Sequence, residues 1–313
     1  MNGTSRRAVG AEMPSAAAAT AAGSVMDRVY LAHQSFIALP PAQFIQVAAV
    51  AGFAGVSLRL WSATGSAHPL PIGGGEYSAV LAVRAATGTS VVGIEAFRMT
   101  RSTTRSDYQE LLEQGAALGA RRLLVVGGES DVQAIAEPFA RLCADAETLR
   151  IAVDLEFFPH SSVRTIEHAA AIVQAAGHRN GFLAVDALHL TRSGGSAKNV
   201  ESVLSLVGSV HLCDAPLASP DESGRIAESR CDRLRPGEGE LPLDTLLGIL
   251  PVELPIGIEV PLQDNQGLSP ADGALRLYKA TARLLAQSAR LDPAKYPDAL
   301  AARLKRAPEI IES

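Results

Sequence analysis

Four short apolar runs in the second half of the chain are each interrupted by acids or imidazoles near their ends. IAVDLEFFP carries Glu156, GFLAVDALHL carries Asp186 and His189, SVHLCDAP carries His211 and Asp214, and PIGIEVP carries Glu259. Charged side chains in such surroundings are rarely buried unless they are paired or bind a metal. A ring of ion pairs is one way to satisfy them. Yet Glu156, Asp186, His211 and Glu259 set three carboxylates against one imidazole, and ion pairing alone leaves negative charge in excess. One divalent metal ion would remove it. Oxygen donors with a single histidine suit Mn²⁺, Mg²⁺ or Co²⁺, with Zn²⁺ open as well.

These residues can act together only if the four runs lie side by side. From Met26 onward, short apolar runs alternate with helical stretches, the pattern of a parallel sheet wrapped by helices. The strands are expected at Arg28–Ser35, Gly55–Leu60, Ser90–Arg98, Arg121–Val126, Arg150–Phe157, Gly181–Leu188, Ser209–Cys213 and Pro255–Val260. Helices are expected at Pro41–Ala51, Tyr77–Ala86, Ser106–Leu118, Ser130–Ala146, Arg164–Ala176, Ala197–Leu206, Leu243–Ile249 and Ser269–Ala286. Eight strand–helix units close into a single α/β (β/α)₈ TIM barrel, in which active sites lie at the C-terminal ends of the strands. The four runs then deliver their polar residues to one rim. Pro216–Arg235, the longest irregular stretch, would arch over that mouth as a loop.

Other residues could reach the same pocket. His33 and Arg59 on the first two strands and Glu95 on the third would contact substrate or be satisfied in the core. Trp61, Phe97, Phe157 and Phe158 could form apolar walls. RSGG (Arg192–Gly195) and GGES (Gly127–Ser130) could approach an anion through backbone N–H groups or simply turn the chain. His68, His160, His168 and His178 read as loop or helix-surface residues.

The 313 residues fit one barrel domain over 27–313, preceded by an Ala-rich stretch, 1–26, expected to be disordered. An extra helix is expected over Asp292–Arg306. With 28 Lys and Arg against 33 Asp and Glu, the net charge is -5, which argues against a nucleic-acid partner. Cys143, Cys213 and Cys231 make an odd count without CxxC spacing, so a reducing, cytoplasmic setting is expected. Nothing approaches the ~20 apolar residues of a membrane helix. The early alanine run lacks the Leu-rich core of a signal peptide.

The set VDLEFFP, AVDALHLTRSGG, VHLCDAP, DRLRPGEGE and IGIEV, in this order, resembles the xylose isomerase-like TIM barrels, the sugar phosphate isomerase/epimerase group. The likeness is clearest from Ile151 to Val260. It implies Glu156, Asp186, His211 and Glu259 as metal ligands, and Glu156 and Glu259 as the acid/base pair. It implies that His189, from the D-x-x-H motif, and Arg233, from the R-x-x-P-G turn, contact substrate. The implied activity is that of a metal-dependent isomerase or epimerase of a sugar or polyhydroxylated ketone. The two glutamates would move a proton next to a carbonyl through a metal-stabilised enediolate. Homo-oligomers are frequent in the group, and no interface is legible here.

Other readings stay open. The same site could dehydrate an inosose or a cyclic hydroxy-ketone acid, expelling a β-hydroxyl. A non-enzymatic sugar-binding barrel would share the fold but not bind the metal. Phosphodiester cleavage, known in this fold, needs further early histidines where the chain offers only His33. Aldose isomerases that use a lysine near the metal find no counterpart, since Lys198, Lys279, Lys295 and Lys305 all fall on helices or loops.

Overall fold

A computed structural model describes residues 25–61, 68–261 and 267–288. The Ala-rich stretch and the helix expected at Asp292–Arg306 lie outside the described residues, apart from the last two residues of the former. Eight parallel strands close into a barrel in sequence order, β1 (Val29–Ala32), β2 (Gly55–Arg59), β3 (Ser90–Met99), β4 (Arg122–Gly127), β5 (Ala152–Glu156), β6 (Gly181–Asp186), β7 (Val207–Leu212) and β8 (Ile256–Ile258). Closure is made by β1 against β8, with Val29 paired to Ile256 and Leu31 to Ile258.

The helices outside are α1 (Pro41–Ala51), α2 (Gly75–Thr87), α3 (Arg105–Ala117), α4 (Val132–Thr148) and α5 (Ile166–Ala176). They continue with α6 (Ala187–Arg192), α7 (Ala197–Ser202), α8 (Glu222–Cys231), α9 (Leu243–Ile249) and α10 (Pro270–Gln287). Local signals set several ends. Thr104 caps α3 in a capping box with Asp107, and Gly177 ends α5 at φ 62°.

Three differences from the expected elements bear on the site. β1 stops at Ala32, and His33–Phe36 form a 3₁₀ turn, so His33 sits beyond the strand. β6 stops at Asp186, whose carboxylate caps α6 by accepting from the His189 backbone N–H at 2.9 Å. His189 is therefore helical. The stretch Pro216–Arg235 holds α8, begun by Asp221 as N-cap. Its polar sequence carries little apolar periodicity, which is why it reads as a loop.

Alternation along parallel strands sorts the side chains into two sets. Outward residues such as Leu31, Leu58, Leu123, Val153, Leu183 and Val210 form the main core against the helices. The barrel interior holds a much smaller apolar cluster, Ala96, Leu124, Val126 and Ala184, with Phe158 beside it. Most of the interior is polar, in two levels two residues apart: Asp154 below Glu156, Ser209 below His211, Ser57 below Arg59.

Candidate metal centre

Register brings the four candidate ligands together. Asp186 pairs with His211 across β6 and β7, and the Glu259 backbone N–H donates to the Leu212 carbonyl oxygen, fixing it just beyond β8. Ser35 braces that end, its hydroxyl donating to Ile258 O at 3.1 Å and accepting from Val260 N at 2.9 Å. One ligand atom each from Glu156, Asp186 and His211 lies within 4.8 Å of the others. Glu259 joins through His211, with Oε2 at 3.2 Å from Nδ1; Glu156 Oε1 lies at 3.5 Å from the same nitrogen.

These contacts are close enough for ion pairs but not aligned as hydrogen bonds. Glu156 Oε1, His211 Nδ1 and Glu259 Oε2 are buried without a hydrogen-bond partner. Buried polar atoms are normally satisfied, and here three orphans converge on one point. A divalent cation fits the set: oxygen donors plus one imidazole nitrogen, all facing inward. The far side of His211 is already held, because Nε2 lies 3.0 Å from the buried Tyr30 hydroxyl. Orientation of a ligating imidazole through its second nitrogen is usual for metal histidines. Gly257 makes this contact feasible: a Cβ there would come within 2.5 Å of His211 and 2.7 Å of the Tyr30 ring.

Arg233 lies 1 % exposed beneath the rim. Its Nη1 donates to Asp186 Oδ2 at 2.7 Å and to Glu259 O at 3.1 Å, and Nη2 lies 3.2 Å from Glu259 Oε1. Nη2 is also 3.5 Å from His189 Nε2. Asp214, the acid of the strand-seven motif, receives the backbone N–H groups of Gly237 and Leu241 and so fixes the turn that delivers Arg233.

The charges separate the two glutamates. Burial raises Glu156 above the carboxylate range, with Glu259 adding to the rise and His211 opposing it. Burial also disfavours ionised Glu259, but Arg233 and His211 outweigh it and hold its pKa well below the usual range. Asp186 is lowered in the same way, chiefly by Arg233 against burial. Burial disfavours a charged His211, yet Tyr30, Glu156 and Glu259 together raise it well above an ordinary imidazole. Burial brings His189 down to about 4, so it is neutral near pH 7.

The remaining candidates fall in different places. His33 is buried, with Nε2 2.9 Å from Leu39 O and Nδ1 accepting from Arg59 N at 3.2 Å, so both nitrogens are taken. Glu95 is buried below the rim, accepting from Ser57 Oγ at 2.6 Å and Gln34 N at 3.3 Å. Arg59 lines the mouth together with Gln34, Phe158, His160, His189 and Glu259 around a 320 Å³ cavity. His160 departs from the surface reading: it packs 4.8 Å from Phe158 and 6.2 Å from His189. Tyr30 was invisible in sequence because VYLA reads as plain core. Its position two levels of alternation from the rim residues is the only cue, and it needs the register.

The family model for xylose isomerase-like TIM barrels matches residues 45–284. The chain belongs to this family. Among curated protein sequences nothing matches it. Solved structures share the barrel at low identity, which speaks for the fold. A zinc-binding IolI protein superposes with TM-score 0.68 at 15% identity, over 84% of this chain and 99% of its own. D-allulose 3-epimerase from Methylomonas sp., in complex with D-allulose, gives 0.61 at 16%, over 83% and 96%. A probable 3-DHS dehydratase from Bacillus anthracis gives 0.64 at 16%, over 81% and 98%. This chain also spans 45% of a longer fusion protein of such a barrel with a 4-hydroxyphenylpyruvate dioxygenase, and 85% of this chain is covered (TM-score 0.66, 18% identity). Among the described residues no helix is long and apolar enough to cross a membrane.

Proposed function

We propose that the chain is a divalent-metal-dependent isomerase or epimerase acting on a sugar or polyhydroxylated ketone in the barrel mouth. The observation that carries this reading is the convergence of orphaned donor atoms of Glu156, His211 and Glu259, next to Asp186, in a cavity open to solvent. Glu156, Asp186, His211 and Glu259 would hold the ion, Mn²⁺, Mg²⁺, Co²⁺ or Zn²⁺. When bound, it supplies Lewis-acid stabilisation for negative charge developing on adjacent substrate oxygens.

The chain's own residues do the rest. Glu156 and Glu259 stand on strands on opposite sides of His211 and address a substrate from two directions. One takes a proton beside the carbonyl and the other returns it. Return to the opposite face of the same carbon gives an epimer; return to the adjacent carbon gives an isomer. His189, neutral and set beside Arg233, would donate a ring N–H toward the developing oxyanion. Arg233 keeps Asp186 and Glu259 ionised and aimed. Phe158 and His160 narrow the mouth and limit water. His33, in the turn after β1, and Glu95, on β3 below the rim, would shape the pocket indirectly, through their bonds to Arg59 N and Gln34 N on its wall.

Structural neighbours acting as epimerases favour this over the alternative, elimination of a β-hydroxyl from the same carbanionic state, which the dehydratase neighbour keeps in view. Incubation with a panel of ketoses and inososes in D₂O, with Mg²⁺ loaded, reads both. Deuterium entering beside the carbonyl with intact protein and not with Glu259→Gln is the expected result. A dehydrated product would shift the assignment to the lyase. Failure of the protein to bind any of Mn²⁺, Mg²⁺, Co²⁺ and Zn²⁺ would overturn it.

A further inference from the structure

Beside the metal pocket lies a larger cavity of 640 Å³. It shares Val126, Phe158, His160 and Arg230 with the pocket, so the two are one continuous mouth. Its wall holds three guanidinium groups: Arg98 from the end of β3, Arg164 from the segment before α5, and Arg230 from α8. Among the described residues no carboxylate lines it. The neighbouring acids are occupied elsewhere, Glu129 by Arg101 at 3.1 Å and Asp131 by capping α4.

Elsewhere the half-buried Arg122 and the buried Arg192 and Arg233 are each engaged by a carboxylate, whereas Arg98, Arg164 and Arg230 are exposed to the cavity and solvent. Among the described residues, these three have no carboxylate partner. Three guanidinium groups lining one cavity, in a chain of net charge -5, concentrate positive potential there and favour an anion. Guanidinium forks are the side chains best shaped to hold oxyanions through paired hydrogen bonds. Gly127 and Ser130 of the GGES segment complete the wall, whereas the RSGG arginine is spent: Arg192 is locked to Glu228 at 2.7 Å and to the carbonyl oxygen of Pro216.

We propose that the substrate carries an oxyanion, a phosphomonoester or a carboxylate, gripped by Arg98, Arg164 and Arg230 while its carbonyl end reaches the metal centre. This deepens the reading of the rim as the reaction centre and rests on it. The site favours anionic over neutral substrates through its three cationic donors, and suits substrates long enough to span both cavities.

The test uses metal-free full-length protein titrated with inorganic phosphate and, separately, with malonate, followed by calorimetry. Arg98→Gln/Arg230→Gln is the variant, and Arg101→Gln, on the nearby surface, is the control. Both altered positions are exposed, and a thermal melt checks that the variants fold. Saturable binding that weakens by about tenfold or more in the double variant and not in the control supports the proposal. Tighter phosphate then identifies a phosphomonoester, tighter malonate a carboxylate. Absence of saturable binding to the intact protein, or equal binding by the double variant, overturns it. Mn²⁺ binding is followed on the same preparations by electron paramagnetic resonance, and that of Mg²⁺, Co²⁺ and Zn²⁺ by calorimetry. Metal without anion binding sinks this proposal alone; anion binding without any of the four metals sinks the reading of the rim alone.

Discussion

The barrel interior holds two polar levels built from the same strands, and they obey opposite rules. At the lower level, Arg122 forms a two-pronged ion pair with Asp154, which also accepts from Ser209 Oγ at 2.8 Å. Gly208 leaves room for that pair, since a Cβ there would strike both Arg122 and Asp154. At the upper level, two residues further along β5 and β7, Glu156 and His211 face each other with unsatisfied atoms. Burial is alike at both levels; completeness of bonding is not. A filled network holds a fold together, while the orphaned atoms of the upper level are those the proposed ion would satisfy.

Substitutions can break this contrast from either side. The largest effect is expected for Glu156→Gln, which should cut deuterium exchange into substrate by about 10²- to 10⁴-fold. Its thermal stability should hold or rise, because one buried acid among three is gone; a marked loss of stability would place Glu156 with the structural level. Conversely, Arg122→Ala leaves Asp154 buried and unpaired, and should cost about 3–5 kcal/mol by denaturant titration. Its Mn²⁺ affinity should stay near that of the parent, and a parallel loss of metal would erase the distinction between the levels.

His33 sharpens the comparison as a satisfied group with a pH signature. Burial lowers its pKa to about 3, and the backbone N–H of Arg59 pointing at Nδ1 requires the neutral ring. The unfolded chain takes up this proton near pH 6.5 and the folded chain does not. Stability conferred by the neutral ring is complete above pH 6.5 and is lost as pH falls toward 3. The loss should be on the order of 3 kcal/mol by pH 4. His33→Gln should flatten that part of the stability profile, and an unchanged slope would refute the assignment. The smallest effect is expected for Tyr30→Phe, which removes only the partner of His211 Nε2. Metal affinity should fall by roughly tenfold with little change in melting temperature.

The order of the barrel, and the rim on which Glu156, Asp186, His211 and Glu259 converge, were legible because the relevant residues interrupt apolar runs at strand ends. Glu156, Asp186, His211 and Glu259 announce themselves as charges where hydrophobic neighbours predominate. What escaped depends on register and on distant contacts. Tyr30 meets His211 across 181 residues of sequence. Arg98 and Arg230 look like ordinary surface arginines until β3 and α8 are placed over one cavity. The helix α8 itself escaped because its sequence is nearly all polar, and the fold supplies the support that its own composition lacks. His33 read as a strand residue because the apolar run VYLA continues into it without punctuation.

Closure of the barrel by β1 against β8 has a consequence during synthesis. Val29 emerges from the ribosome long before Ile256, its partner in the sheet. At translation speeds of ~5–20 residues per second, one edge of the first strand waits roughly 10–45 s for its neighbour. During that interval the nascent chain presents an open, apolar hydrogen-bonding edge to other chains on the same messenger. Yield of this protein in a cell should therefore respond to elongation rate and to holdase chaperones more strongly than the stability of the finished barrel would suggest.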